Sequence, residues 1–295
     1  MMRNEFRAKD GKEISYVEWN EVQNPKCVIQ VAHGMAEHAM RYDHFAKRMN
    51  QLGIVVIADD HRAHGVTDKA TLGYSKGDIW NNTLSDMLEV LQYAKQKYQL
   101  PVVLFGHSYG SFLAQEFIKR HNDLLAGAVV GGSSFMKTGV GFGGFVSKIG
   151  CAFKGDDKKA VFIKKLTFDA YNKKFKEGTF ISSIVEECEK YKDDPMVGFV
   201  CSYNFYKCFF AGLKNIYKKG DYNLKDFKVL LLGGDNDPVG NNGKGVLKLE
   251  AWYKEQGALV KTKLYKGVRH EYLNDISREQ SMNDIYEFTN DCTFK

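Results

Sequence analysis

Pro101-Val102-Val103-Leu104-Phe105-Gly106-His107-Ser108-Tyr109-Gly110 decides the reading of this chain. An unbroken apolar run of this length reads as a buried strand, and a G-x-S-x-G turn follows it directly. After the turn, Phe112, Leu113, Phe117 and Ile118 fall at helical spacing. Strand, tight turn with a serine at its apex, then helix is the setting of a nucleophile elbow. The elbow strains the serine backbone, and side chains at 106 and 110 would collide with the neighbouring strand and helix, so both positions need glycine. Ordinary glycine turns share the pattern, so the rest of the chain must supply partners for Ser108.

Such a serine needs an acid and then a histidine further along the chain. Val229-Leu230-Leu231-Leu232 reads as a second buried strand, ending in the polar turn Gly233-Gly234-Asp235-Asn236-Asp237-Pro238-Val239. Leu264-Tyr265-Lys266-Gly267-Val268-Arg269-His270-Glu271 then places a histidine just past another strand-like run. His270 is the only histidine beyond His121, so no other can act as the base in this order. Asp235 and Asp237 compete for the acid, and the one not used has the role of a turn or capping aspartate.

Upstream, Cys27-Val28-Ile29-Gln30-Val31-Ala32 runs into His33-Gly34-Met35-Ala36-Glu37-His38, with Arg41-Tyr42 shortly after. Ile54-Val55-Val56-Ile57-Ala58-Asp59-Asp60 runs into His61-Arg62-Ala63-His64-Gly65. These segments, the elbow and the two downstream turns resemble those of monoglyceride lipase and lysophospholipase-like α/β-hydrolases. The resemblance spans roughly residues 12 to 285 and is weak between 133 and 225. It implies an α/β-hydrolase fold, a mostly parallel central sheet flanked by helices with an inserted helical cap. It assigns the acid to Asp237, which precedes the proline. It implies an oxyanion hole made by the backbone N–H groups of Met35 and Tyr109, with Gly34 letting the main chain approach the substrate. Ala63 stands where the family usually has glycine, and a small local backbone adjustment is expected there.

The implied chemistry is hydrolysis of carboxylic esters, first of all monoacylglycerols or lysophospholipids. A short-chain carboxylesterase is the alternative; a proline-type aminopeptidase or an inactive binding module of the same fold remain further ones. No cofactor is needed. His33, His38, His61 and His64 invite a metal reading, but no zinc-type Cys/His spacing accompanies them, and the resemblance gives them structural hydrogen-bonding roles.

Composition agrees with this. The chain of 295 residues is 44% hydrophobic and 26% charged, within the range of one large globular core. Met1-Met2-Arg3-Asn4-Glu5-Phe6-Arg7 lacks the apolar stretch of a signal peptide, and no run has the ~18 apolar residues of a membrane span. Six cysteines without framework spacing suggest free thiols and a cytoplasmic location.

Strands are expected near 27–32, 54–58, 101–106, 125–130, 228–232 and 260–265, after a hairpin turning at Asp10-Gly11. Helical patterns alternate with them, such as Leu84, Met87, Leu88, Leu91, Ala94 and Tyr98. That alternation puts the ligand site at the carboxyl ends of parallel strands, where Met35, Ser108, Asp237 and His270 all fall.

The organisation expected is a core of residues 1–132 and 226–295 with a cap over 133–225. The cap holds 18 aromatics, 17 lysines, 10 acidic residues and no arginine, a net charge of +7, while the rest of the chain is −1, so the protein's positive charge of +6 resides in the cap. Scattered lysines without arginine do not suit nucleic acid. They do suit transient contact with an anionic membrane surface, which would make the protein peripheral there. Most of the aromatics are expected to form the cap's own core. Phe142, Phe145, Phe205, Phe209 and Phe210 are expected to offer a lipid-facing, substrate-binding surface.

Overall fold

The computed structural model describes residues 1–218 and 223–293. Eight strands form one sheet: β1 (Met2–Arg7), β2 (Glu13–Trp19), β3 (Cys27–Ala32), β4 (Ile54–Asp59), β5 (Val102–His107), β6 (Gly127–Gly131), β7 (Lys228–Gly234) and β8 (Leu259–Tyr265). Their order across the sheet is β1-β2-β4-β3-β5-β6-β7-β8. β1 and β2 are an antiparallel hairpin around Asp10-Gly11, with Gly11 at φ 85°. β2 pairs antiparallel with β4, and every later neighbour is parallel.

The apolar runs are continuous because the parallel strands are covered on both faces. Side chains alternate between two cores. Val28, Val102, Leu104, Val229 and Leu231 face α2 (Ile79–Tyr98), α3 (Tyr109–His121) and α9 (Lys244–Glu255). Ile29, Val103, Phe105, Leu230 and Leu232 face α1 (Asp43–Gln51) and α10 (Arg278–Thr293). All six cysteines are free thiols. Among the described residues, no helix is long and apolar enough to cross a membrane.

Between β6 and β7 the chain leaves the sheet and forms α4 (Val140–Lys154), α5 (Val161–Leu166), α6 (Phe168–Asn172), α7 (Val185–Asp193) and α8 (Tyr203–Ile216). Residues 219–222 of the expected cap lie outside the described residues. α8 rests on α2, where a Cβ on Gly212 would overlap the Trp80 indole. α4 rests on α8 through small residues: a Cβ on Gly143 or Gly150 would overlap the rings of Phe210 and Tyr203. Because its small-residue side faces inward, α4 turns its large apolar side outward. Phe142 and Phe145 are 62% and 63% exposed, and Ile149 and Phe153 accompany them.

Candidate active site

Ser108 sits between β5 and α3 with φ 52° and ψ −119°. A serine in this left-handed region costs about 1–3 kcal/mol and persists only where the surroundings fix it. They do so here. A Cβ on Gly106 would overlap the Gly110 carbonyl at the start of α3, and a Cβ on Gly110 would overlap the Ala32 carbonyl at the end of β3. The Ser108 N–H donates to the Gly131 carbonyl at 3.0 Å, which fastens the elbow to β6.

The turns after β7 and β8 converge on this serine. His270 Nε2 lies 2.8 Å from Ser108 Oγ, and His270 Nδ1 lies 3.0 Å from Asp237 Oδ2. The Asp237 carboxylate accepts the Nδ1 proton, so Nε2 is left as the acceptor facing the serine hydroxyl. Asp237 Oδ1 accepts the Val239 N–H at 2.9 Å. Asp235 is exposed and instead accepts the Gly267 N–H at 2.7 Å, which ties two turns together. Burial alone would lower the His270 pKa, but the adjacent Asp237 carboxylate outweighs it and raises the pKa above the ordinary imidazole value.

The loop after β3 passes close to the serine. A Cβ on Gly34 would stand 3.2 Å from Ser108 Cβ and would displace the Glu37 carboxylate from its hydrogen bonds. Among the described residues neither the Met35 N–H nor the Tyr109 N–H has an acceptor, and both residues border the cavity above Ser108. Two free N–H groups beside a serine, one of them at a helix N-terminus, can stabilise a developing oxyanion. The Gly34 N–H donates to Glu37 Oε1, which also accepts the Tyr42 hydroxyl at 3.0 Å. Arg41 then bridges Glu37 (2.6 Å) and both oxygens of Glu271 (2.6 and 2.7 Å). Burial would raise the Glu271 pKa, but the Arg41 charge and hydrogen bonds hold it at about 2. This ion network joins the loop carrying Met35 to the residue beside His270. Arg41 and Tyr42 marked the family in the sequence, yet no spacing told that Glu271 is the partner of Arg41.

The upstream histidines make hydrogen bonds and ring contacts within the core. His33 Nδ1–H donates to the Gly34 carbonyl at 2.8 Å, and its Nε2 accepts the His61 N–H at 2.9 Å. Its ring stacks on His61 with centroids 4.1 Å apart. His64 Nδ1–H donates to the Arg62 carbonyl at 2.9 Å, and burial lowers its pKa to about 3. Among the described residues no group of three or more His, Cys, Asp or Glu side chains is arranged to hold a metal ion. Ala63 does not leave the left-handed region that its glycine counterpart would favour: its φ is 71°. The Asp68 carboxylate accepts its N–H at 2.7 Å and the Gly73 N–H donates to its carbonyl at 2.8 Å, so the turn is held with a methyl group in place.

Above Ser108 opens a cavity of about 560 Å³, counting the part open to solvent. The expected aromatics divide in three. Phe209 and Phe210 line the cavity. Phe142 and Phe145 stand on the outer face of α4. Phe205 corrects the expectation: it is fully buried, its ring 5.0 Å from Tyr109 and 5.5 Å from His64, and it packs the insertion onto the site without facing lipid. Phe112, Met136, Thr167, Phe168, Tyr171, Tyr206 and Val239 complete the lining, and none of them was expected there from sequence. In a segment so rich in aromatics, only the fold distinguishes those that meet at one point.

The family described as serine aminopeptidase, S33, matches residues 23–277. Monoglyceride lipase of Homo sapiens is 27% identical over 271 residues, covering 88% of this chain and 80% of that protein. A lipase solved in an open form superposes over all of both chains with a TM-score of 0.90 at 24% identity. A thermostable carboxyl esterase from Bacillus coagulans, solved in complex with glycerol, superposes with a TM-score of 0.87 at 26% identity, over 99% of this chain and 98% of that one. The chain therefore belongs to the serine aminopeptidase, S33, family of α/β-hydrolases and is a carboxylic ester hydrolase.

Proposed function

We propose that this protein hydrolyses long-chain acyl esters of the monoacylglycerol or lysophospholipid class through an acyl-enzyme on Ser108. The observation that carries the reading is the 2.8 Å approach of His270 Nε2 to Ser108 Oγ at the base of an aromatic cavity. Ser108 Oγ attacks the ester carbonyl while His270 Nε2 takes its proton. Asp237 holds the Nδ1–H tautomer and stabilises the imidazolium. The Met35 and Tyr109 N–H groups receive the oxyanion. As the tetrahedral species collapses, His270 returns the proton to the leaving alkoxide oxygen. Water, deprotonated by His270, then attacks the acyl carbonyl and frees the acid and Ser108.

The cavity lining argues for the substrate. Among the described residues it carries no charged side chain, only Met, Phe, Tyr, Val, Thr and the serine itself. An acyl chain suits such walls. A peptide amine would need a carboxylate to meet it, which speaks against the aminopeptidase alternative. A phosphate would need a cation, so the uncharged lining favours monoacylglycerol over lysophospholipid. The likeness to the Bacillus coagulans carboxyl esterase supports the second reading, a short-chain carboxylesterase.

In this proposal residues 133–225 act as a cap between core parts 1–132 and 226–295. Phe142 and Phe145, with Ile149 and Phe153, form an exposed apolar face on a segment that carries the protein's net positive charge. That combination suits transient contact with an anionic membrane surface, from which a lipid ester would enter.

The test is fatty-acid release from a long-chain monoacylglycerol, a lysophospholipid and a short-chain ester, with Ser108→Ala alongside. Release from the monoacylglycerol that disappears in the variant supports the proposal. Activity confined to the short ester points to the carboxylesterase reading. A Ser108→Ala variant with wild-type rate overturns the nucleophile, and failure of a fluorophosphonate probe to label Ser108 points to an inactive binding module.

A further inference from the structure

Residues 177–198 of the insertion are bonded to both loops that carry the proposed catalytic groups. On one side the His270 N–H donates to the Phe180 carbonyl at 3.1 Å, and the Glu271 N–H donates to the Ile181 carbonyl at 2.8 Å. The Phe180 ring packs on the His270 ring with centroids 5.4 Å apart. Arg269, the residue before the base, places Nη1 among three carbonyls of the insertion: Glu177 at 3.0 Å, Thr179 at 2.8 Å and Ser182 at 2.8 Å.

On the other side the insertion grips the loop that carries Met35. The Ala36 carbonyl accepts the Gly198 N–H at 2.9 Å and the Tyr191 hydroxyl at 3.3 Å. His38 Nε2 lies 2.8 Å from Asp194 Oδ2, while Asp194 Oδ1 accepts the Met196 N–H at 2.8 Å. Ala36 itself has φ 57°, a left-handed conformation that a non-glycine residue keeps only when its surroundings impose it. Here the imposing surroundings come from a different part of the chain, 155 residues away at Tyr191.

A segment whose carbonyls accept the base's own N–H, and whose N–H and hydroxyl groups fix the residue after Met35, is more than a cover over the cavity. We propose that residues 177–198 are a positioning element that holds His270 and the Met35 N–H in mutual register, with Arg269 and Asp194 as its two fastenings. The proposal rests on the reading of Ser108, His270 and Met35 given above. Neither fastening touches the substrate cavity, so each acts through the loop it holds. Catalysis is sensitive to such registers, since a displacement of about 1 Å can cost on the order of a hundredfold in rate.

A soluble short-chain p-nitrophenyl ester separates positioning from access. It reaches Ser108 while touching few of the aromatic walls, so a loss of acyl-chain contacts would show mainly in KM, whereas a change in register lowers kcat. With this ester, Arg269→Gln and Asp194→Ala are each expected to lower kcat about tenfold or more while KM stays within about twofold. Arg269→Lys is expected to recover part of the loss, because an ammonium can still donate to the same carbonyls. A merely structural role would lower thermal stability and leave the kcat of the folded protein unchanged. Unchanged kcat in both variants, or a rise in KM alone, overturns the proposal. Should Arg269→Gln fail to fold, Asp194→Ala decides, because it removes a partly exposed carboxylate and no buried bulk. Ser108→Ala is assayed in parallel: if it stays active the underlying reading fails, whereas an inactive Ser108→Ala beside fully active fastening variants refutes the positioning role only.

Discussion

The Asp237 carboxylate meets His270 Nδ1 at 3.0 Å, and the two side chains are only 1% and 4% exposed. Burial works against the imidazolium and the carboxylate works for it; the carboxylate wins, so His270 titrates above the ordinary imidazole value of 6.5. Only neutral His270 can take the Ser108 proton. The value of kcat/KM is therefore expected to fall as pH drops through a midpoint above about 6.5, which places the acid limb higher than an unperturbed histidine would. A pH profile on a soluble ester locates it; a midpoint at or below 6.5 would contradict the geometry.

Replacing Asp237 by Asn removes the charge and allows the wrong tautomer. The expected loss in kcat is about 10³–10⁴-fold, with KM little changed. Asp235→Asn, by contrast, alters only an exposed turn contact with the Gly267 N–H, and kcat is expected to stay within about twofold. The pair of variants separates two aspartates that stand two residues apart. Equal losses in both would undo the assignment.

Much of this site was legible because chain order and local sterics constrain it. Gly106 and Gly110 on either side of Ser108 announce the elbow, since a Cβ at 106 would overlap the backbone of α3 and one at 110 the end of β3. His270 had no competitor beyond His121. The insertion was legible only as an aromatic, basic stretch. Which face of α4 turns inward depends on Gly143 and Gly150 meeting Phe210 and Tyr203, a contact between segments far apart in sequence. Phe205 and Phe209 lie one helical turn apart on α8, yet one is packed shut and the other borders the cavity. Periodicity places both on one face and does not say where the cavity begins.

Gly110→Ala tests the elbow itself. The added methyl would overlap the backbone carbonyl of Ala32, which cannot move aside as a flexible side chain could. Overpacking of side chains costs about 1–3 kcal/mol; a clash against a central strand should reach or exceed the upper value. Gly77→Ala is a fitting control for strain without a clash, because its φ is 84° and the nearest atom to an added Cβ is 3.7 Å away. Urea unfolding should show the larger loss at Gly110. A loss at Gly110 no larger than at Gly77 would mean that the contact with β3 relaxes around the methyl and does not fix the glycine, since Gly110 itself has the backbone of an ordinary helical residue.

The two classes of phenylalanine in the insertion between β6 and β7 should separate by the physical state of the substrate. Phe209 lines the cavity, and Phe209→Leu keeps most of its volume while changing the wall that an acyl chain would touch. Its expected effect is a weaker preference for long over short acyl chains, whether the ester is in solution or in a bilayer. Phe142 and Phe145 lie outside the cavity, so Phe142→Ser with Phe145→Ser should leave kcat and KM on a soluble ester within about twofold. At a membrane the expectation reverses. Partial insertion of two such rings contributes about 2 kcal/mol, so partition to anionic vesicles should fall roughly thirtyfold in the double variant. Turnover of monoacylglycerol presented in those vesicles should fall with it. If vesicle partition is unchanged while soluble-ester kinetics are intact, the outer face of α4 does not contact the membrane, and substrate must reach Ser108 by another route.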